Sequence, residues 1–148
     1  MSEVALEIPA PIDRVWAVLA DGWTYAAWVV GASHIRDVDP TWPTPGSKLH
    51  HSVGPWPVVV KDYTEVLECQ ALKHLKLRAR TWPIGEAEVT FDLEPMGDTA
   101  CRVTMTEKPI RGPAAWAHNP FSEVLLQARN KETLERLAAL ATHGAKPE

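Results

Sequence analysis

The sequence predicts an α+β protein in which an antiparallel sheet of about six to seven strands packs against one long C-terminal helix. Residues 33–107 have the apolar/polar alternation of strands, interrupted by Pro/Gly-rich turns at 40–46 and 54–57. Residues 120–142 are rich in helix formers without an internal Gly or Pro. Two short helical patterns follow the first strand. The chain has 148 residues, enough for one ordinary domain and too few for two, so we expect a single domain over residues 1–148.

Composition and charge restrict the classes of function. Apolar residues make up 45% and charged residues 23%, which is typical of a folded globular protein. The net charge of −4 supplies no basic field for phosphate backbones, so nucleic acid is not an expected partner. No apolar run reaches the roughly 18 to 20 residues of a membrane span, and residues 1–11 lack the pattern of a signal peptide, so we expect a cytoplasmic protein.

The cysteine content predicts no covalent or metal framework. Cys69 and Cys101 are the two cysteines, and neither lies in a CxxC or Cys/His ligand pattern. We expect both thiols to be reduced and buried, as small apolar groups.

The first elements are short. Residues 3–8 are predicted as a strand because apolar side chains recur at every second position. Residues 11–20 then change to the helical period, with Pro11 suited to the first turn. A second short helix is predicted over residues 22–30, with Asp21 as its N-cap.

The strands that follow are predicted to form a meander, and its clearest pair is a hairpin with Arg80 opposite Glu86 and Arg78 opposite Glu88. The same register places Ala79 opposite Ala87 and Leu77 opposite Val89 on the other face. The basic run Lys73, Lys76, Arg78 and Arg80 is therefore interpreted as a paired, solvated face rather than as a site for anions. The sheet has one charged face and one apolar face, which another element must cover.

The predicted cover is the long helix over residues 120–142. Asn119 is suited to its cap, Pro120 to its first position, and Gly144 ends it. One stripe of this helix carries Leu126, Asn130, Leu134, Leu137 and Ala141.

Four segments carry a family resemblance: APIDRVWAVLAD, DYTEVLECQALKHLKLRAR, GEAEVTFDLEPMGDTACRVTMTE and RNKETLERLAAL. They resemble the SRPBCC group of the START/birch-pollen-allergen superfamily, described as polyketide cyclase/dehydrase and lipid transport, and the likeness covers about residues 3 to 141. The resemblance implies a helix-grip fold, in which a curved sheet wraps around the long helix and leaves a cavity between them. It also implies binding of lipids, polyketides or similar hydrophobic molecules, with catalysis in some members. It supplies no shared catalytic set for numbered positions here.

The expected ligand-binding residues lie on the apolar sheet face, on the second short helix and on the helix stripe. They are Trp28, His51, Val60, Thr64, Leu77, Ala79, Val89, Phe91, Val103, Met105, Leu126 and Asn130. A filled core is the alternative interpretation, although Ala79 and Ala87 leave room on that face.

Three titratable residues have the parity of the apolar face: His51, Asp62 and Glu107. A histidine and two carboxylates in an apolar cavity are suited to general acid/base work, because burial shifts their pKa values. Alternatively, the two carboxylates lie at strand ends in solvent or pair with Arg or Lys.

No metal and no cofactor is expected. Adjacent His50 and His51 point to opposite faces of a strand and so do not share one ion. The sequence contains no GxSxG, HExxH or GxxxxGK[ST] motif.

Several tryptophans suggest an aromatic gate at one opening of the cavity. Trp28, Trp56 and Trp116, with His118, are the residues of this gate; alternatively, these side chains plug the ends of the core.

Three function classes remain at this point. The first is binding of a small hydrophobic molecule between the sheet and the C-terminal helix, by a monomer or homodimer. The second is a polyketide cyclase, aromatase or dehydratase that uses His51, Asp62 or Glu107. The third is a protein-interaction module that holds no ligand.

Overall fold

A computed structural model describes residues 2–30, 32–53, 60–81, 85–112 and 120–144. In chain order the elements are β1 (Ser2–Ile8), α1 (Ile12–Ala20), α2 (Tyr25–Trp28), β2 (Ala32–Val38), β3 (Lys48–Val53), β4 (Val60–Gln70), β5 (His74–Thr81), β6 (Gly85–Pro95), β7 (Cys101–Arg111) and α3 (Pro120–Ala139). A 3₁₀ turn over Gly22–Thr24 precedes α2, and a wider π-helical turn over Leu140–Gly144 follows α3.

The described strands form one seven-stranded sheet with the order β1-β7-β6-β5-β4-β3-β2. All six neighbouring pairs are antiparallel, as expected where successive strands join by short turns. Among these described pairs, β1–β7 is the one that joins strands remote in sequence. The predicted α+β class, with an antiparallel sheet, two short helices and a long C-terminal helix, is confirmed.

The register of the β5–β6 hairpin is confirmed. Ala79 is the partner of Ala87 and Arg80 is the partner of Glu86. On the charged face, Arg80 Nε lies 3.8 Å from a Glu86 carboxylate oxygen. Glu88 pairs through its side chain with Lys76, whose Nζ is 3.5 Å away. This face, called the outer face below, is therefore bridged by ion pairs.

The opposite face, called the inner face, is covered by the helices. One core cluster joins its apolar side chains to Val15 and Leu19 of α1 and to Leu134 and Leu137 of α3, which are at most 1% exposed. Burial of such side chains is the main favourable contribution to the free energy of folding, at about 1.5 to 3 kcal/mol for each fully buried aliphatic side chain.

The short helices depart from the predicted bounds. Asp21 caps the 3₁₀ turn, because its Oδ1 accepts a hydrogen bond from the backbone N–H of Trp23 at 3.1 Å. The α2 helix ends at Trp28, since Val29 has extended backbone angles. A Cβ on Gly22 would lie 2.7 Å from Val38 Cγ1, so the turn packs against β2 at a distance that only glycine permits.

The prediction that both cysteines are buried is wrong for Cys69. Cys101 is fully buried, whereas Cys69 is half-buried because it lies near the end of β4, beside the exposed turn at 71–73. Burial raises the pKa of both thiols. Within the described segments, no helix is long and apolar enough to cross a membrane.

Candidate functional site

The strand register arranges the inner face in rungs, meaning rows of directly opposed residues across neighbouring strands. One rung runs through Leu49, Thr64, Ala79 and Ala87 on β3 to β6. The adjacent rung runs through Val66, Leu77, Val89, Glu107 and Ser2 on β4, β5, β6, β7 and β1. Polar and apolar positions therefore lie next to each other beneath the helices.

Three buried polar side chains form an inner polar cluster: Tyr25, His51 and Thr64. His51 Nε2 and Thr64 Oγ1 are 2.9 Å apart and share a hydrogen bond, and Tyr25 Oη lies 3.5 Å from the same hydroxyl. The Tyr25 ring stacks on the imidazole with 6.1 Å between ring centroids and 22° between planes. All three residues are at most 6% exposed. The short α2 helix thus brings a phenol onto strands β3 and β4.

The His51 imidazole is held in its neutral form. Burial lowers the pKa of His51 below its ordinary value, and the opposing influence of nearby Asp62 is smaller. A neutral imidazole has one nitrogen that donates and one that accepts. With Nε2 occupied by Thr64, Nδ1 has no hydrogen-bond partner among the described residues. This buried nitrogen is a candidate position for a ligand contact, although the Tyr63 backbone also acts on the ring and raises the pKa of His51.

The Tyr25 phenol keeps its proton at neutral pH. Burial raises its pKa, and the Glu107 carboxylate raises it further, while Thr64 and Arg129 act in the opposite direction. The hydroxyl hydrogen therefore remains available for a hydrogen bond within the inner polar cluster.

Both carboxylates that the sequence singled out are engaged by arginines. Glu107, 8% exposed, accepts a hydrogen bond from Arg129 of α3. Asp62 is the register partner of His51, and its Oδ1 lies 3.6 Å from Arg80 Nε. The same oxygen accepts the backbone N–H of Tyr63 at 2.9 Å. The structure therefore places Asp62 beside His51, and places Glu107 in an ion pair that joins β7 to α3.

The apolar candidates divide into a buried group and an accessible group. Leu77, Val89, Phe91, Val103 and Met105 belong to the main core cluster together with Trp28. The indole of Trp28 meets the Phe91 ring edge to face, with 5.5 Å between centroids, and donates through Nε1 to Thr24 Oγ1 at 3.2 Å. Trp28 is thus part of the core, at 2% exposure. Ala79 and Leu126 are half-buried.

Other predicted residues lie outside what the structure describes. Val60 begins β4, but its side chain is not described, and Trp56, Trp116 and His118 fall in segments without a description. The aromatic gate remains a prediction for these three residues.

Asn130 of α3 is 1% exposed. Neither its amide nitrogen nor its amide oxygen has a hydrogen-bond partner among the described residues. One turn further along, Thr133 Oγ1 accepts the backbone N–H of Val30, which follows α2, at 3.2 Å. Buried polar atoms are rarely left unpaired, so both His51 and Asn130 stand out from the surrounding core.

A surface depression of about 200 Å³ lies away from this interior. Its lining residues are Ala20, Asp21, Gly22, Trp23, Val38, Asp39, Pro40 and Trp42, and none of them is a predicted site residue. In the described part of the chain, no cluster of three or more His, Cys, Asp or Glu side chains is arranged to hold a metal ion.

The family model for polyketide cyclase / dehydrase and lipid transport matches residues 2–142. The chain belongs to this family. No curated protein matches the chain.

Solved structures of low sequence identity share the fold. The Zhui aromatase/cyclase from Streptomyces sp. R1128 is 16% identical, with 97% of this chain and 94% of that chain covered and a TM-score of 0.70. A protein from Arthrobacter aurescens is 19% identical over 97% of this chain and 87% of that one, with a TM-score of 0.71. The di-domain ARO/CYC StfQ from the steffimycin biosynthetic pathway is 10% identical, with 97% and 50% covered and a TM-score of 0.71. These neighbours identify the polyketide cyclase/dehydrase chain as a helix-grip fold.

Two residues of the candidate site in this polyketide cyclase/dehydrase family member, Tyr25 and Arg129, were not predicted from the sequence. Tyr25 lies on the helix that was predicted over residues 22–30, but nothing in the helical pattern pointed to His51 as its neighbour. Arg129 precedes the stripe residue Asn130. The strand alternation places Glu107 on the inner face, and a buried carboxylate requires a cation or several hydrogen-bond donors. This requirement was the available indication that a residue such as Arg129 lies nearby.

Proposed function

We propose that this chain binds a small hydrophobic molecule between the inner face of the sheet and α3. The observation that carries the proposal is the unequal exposure of one rung. Leu49 and Thr64 are 0% exposed, whereas Ala79 and Ala87 of the same rung are half-buried. Small side chains on the inner face are therefore reached by solvent.

The neighbouring rung shows that this exposure is local. Leu77 and Val89 precede and follow the alanine pair on β5 and β6, and they are 2% and 7% exposed. An apolar molecule placed over Ala79 and Ala87 exchanges water for apolar contacts, at roughly 25 cal/mol per Å² before ordering costs are subtracted. The inner face thus has fully buried apolar residues beside an accessible apolar surface at Ala79 and Ala87.

Polar groups at the closed end of the same rung supply orientation. Thr64 is the direct register partner of Ala79, and its hydroxyl is bonded to His51. A ligand that covers Ala79 therefore lies beside the inner polar cluster. A few placed polar groups in an apolar lining are typical of small-molecule sites.

Binding of 2-acetylnaphthalene tests the proposal. We expect calorimetric titration of the wild-type chain to show saturable 1:1 binding, and Ala87→Phe to lower the affinity by about tenfold or more, because the larger side chain occupies the accessible surface. The matched control is Ala5→Phe, the same change at an exposed position of β1. Should Ala87→Phe fail to fold, Ala79→Leu makes the same test.

Two results would contradict the proposal. One is the absence of binding in the wild-type chain, accompanied by native mass spectra without any adduct from the expression host; this result favours the ligand-free interaction module. The other is an equal loss of affinity in Ala87→Phe and Ala5→Phe, which would place the probe elsewhere.

A second candidate function is catalysis of the cyclase or dehydratase type, favoured by the unpartnered Nδ1 of neutral His51. A neutral imidazole beside a bound ketone is positioned to remove an α-proton, provided that Nε2 carries the ring hydrogen. The enolisable methyl group of 2-acetylnaphthalene makes this measurable as hydrogen–deuterium exchange in D₂O.

The exchange experiment separates binding from catalysis. Catalysis predicts that the chain accelerates exchange of the methyl protons and that His51→Gln abolishes the acceleration while the affinity stays within about threefold. Binding alone predicts the solution rate of exchange for both proteins. Acceleration that persists in His51→Gln would exclude His51 as the base.

A further inference from the structure

The Asn130 side chain is almost completely buried and has no hydrogen-bond partner among the described residues. It is 1% exposed, and both ends of its amide are unpaired. A leucine at this position of the helix stripe would suit a core that already contains Leu134 and Leu137. A buried amide that is left unpaired lowers stability relative to such a residue. The polar side chain therefore costs stability in the chain without a ligand.

The surroundings of Asn130 connect it to the proposed ligand site. Its neighbour Arg129 bonds to Glu107 on the inner face, and Thr133 bonds to the backbone of Val30 after α2. The charge of Arg129 also acts on the Tyr25 phenol of the inner polar cluster. This part of α3 is consequently packed against α2 and bonded to Glu107 of β7.

The hydrogen-bonding capacity of the Asn130 amide, which both donates and accepts, favours a neutral ligand group. Two cations, Arg129 and Lys131, flank Asn130 on α3; the guanidinium of Arg129 is already bonded to Glu107, and Lys131 is exposed. A carboxylate ligand would accept from Asn130 Nδ2 but would leave Oδ1 without a donor. A neutral group that both accepts and donates pairs with the whole amide.

We propose that Asn130 is the polar anchor of the ligand and that it selects a neutral amide, either a carboxamide or a lactam, on a hydrophobic body. The amide carbonyl of the ligand accepts from Asn130 Nδ2, and the ligand N–H donates to Asn130 Oδ1. This inference rests on the proposed binding function and specifies the class of molecule that occupies the site. The two reciprocal hydrogen bonds satisfy the atoms that the fold leaves unpaired.

Two probes with one ring system test the assignment: 2-naphthamide, which accepts and donates, and 2-acetylnaphthalene, which only accepts. We expect the wild-type chain to prefer the amide by about tenfold, which corresponds to about 1.4 kcal/mol. Replacement of the anchor by Asn130→Leu or Asn130→Ala removes this preference, and the smaller alanine excludes a steric cause. The anion 2-naphthoate should bind more weakly than the amide.

A matched control on the same helix is Thr133→Val. The Thr133 hydroxyl already accepts a backbone hydrogen bond. Loss of this hydroxyl should lower the melting temperature and leave the preference for 2-naphthamide over 2-acetylnaphthalene unchanged. Asn130→Leu should instead raise the melting temperature, by about 2 to 4 °C. If Asn130 instead stabilised the fold, Asn130→Leu would lower the melting temperature.

The outcomes distinguish this inference from the proposed function. If the wild-type chain binds both naphthyl probes but the preference is absent, or survives in both Asn130 variants, the anchor assignment is wrong while hydrophobic binding stands. If it binds neither probe, both proposals are contradicted. Loss of the amide preference in the two Asn130 variants, and its retention in Thr133→Val, supports the anchor.

Discussion

The inner and outer faces of the same sheet shift the pKa of a histidine in opposite directions. His51 on the inner face is desolvated, and burial lowers its pKa. His74 on the outer face bonds Asp92 through Nδ1 at 2.7 Å and Glu68 through Nε2 at 2.9 Å, and these hydrogen bonds raise its pKa. The comparison shows that the location of the ring, and not the residue type, sets its proton affinity.

The two histidines also differ in how completely their ring nitrogens are paired. Both ring nitrogens of His74 have partners within an outer charged ladder, defined by Glu68, His74, Lys76, Glu88 and Asp92. Within the described residues, the inner polar cluster leaves His51 Nδ1 without a hydrogen-bond partner. The charged ladder thus satisfies both ring nitrogens of His74, although Arg78 Nε and Arg80 Nε elsewhere on the outer face are buried without a hydrogen-bond partner among the described residues. On the inner face, His51 Nδ1 keeps hydrogen-bonding capacity for another molecule.

The largest contrast between the faces is expected from adjacent residues of β5. Leu77→Ala on the inner face should lower the free energy of unfolding by about 2 to 5 kcal/mol, because a 2% exposed side chain leaves a cavity. Lys76→Ala on the outer face removes partly exposed ion pairs and should cost less than about 1 kcal/mol. Urea unfolding of both variants measures this difference, and equal losses would contradict the assignment of faces.

A smaller contrast is expected between two threonines. Thr64→Val removes the hydroxyl that meets His51 and Tyr25 and should cost about 1 to 3 kcal/mol, since buried polar atoms are left unpaired. Thr90→Val on the half-buried outer face should change the free energy of unfolding by less than about 0.5 kcal/mol. Thermal unfolding monitored by circular dichroism compares them. If Thr64→Val left the free energy of unfolding unchanged, the inner polar cluster would not be a structural unit.

The smallest effects are expected in the pH dependence of stability. The raised pKa of His74 gives stabilisation that is complete below its unfolded value of about 6.5 and is lost as pH rises through the folded value. The lowered pKa of His51 gives stabilisation that is present above about 6.5 and is lost as pH falls through the folded value. His74→Gln should therefore weaken the chain more at about pH 5.5 than at about pH 8, and His51→Gln should show the reverse.

Denaturant unfolding of both histidine variants at the two pH values measures these slopes. The His74 contribution should stay below about 1 kcal/mol, because its side chain is partly exposed and both of its partners are more than half exposed. Slopes of the same sign in the two variants would contradict the contrast between the faces.

The sequence was sufficient for the β5–β6 hairpin and its register because alternation and charge are local properties. Arg80 and Glu86 defined the outer face and therefore the hairpin register that the structure has. The contacts of Tyr25 were not predictable in this way, since the hydroxyl it meets belongs to Thr64, 39 residues away in sequence. A helical period gives the face of a helix, but it does not give the strand on which that face rests.

The same limit of sequence periodicity appears at Glu107 of the candidate site and at Cys69 near the end of β4. Parity placed Glu107 correctly on the inner face, but its pairing with Arg129 depends on the tertiary packing of α3 against β7. Cys69 has an inner-face partner in Leu75 and is nevertheless half-buried, because the strand ends nearby. Periodicity describes the middle of an element better than its ends.

The pairing of β1 with β7 has a consequence for folding kinetics. Ser2 is opposite Glu107, so the two ends of the sheet-forming sequence must meet, while the other strand pairs join neighbours in sequence. Such a contact of high sequence separation forms late, because the intervening chain must first lose entropy. We expect pulsed hydrogen exchange during refolding to protect β5 and β6 before β1. Early protection of β1 would show that the two ends of the chain find each other first.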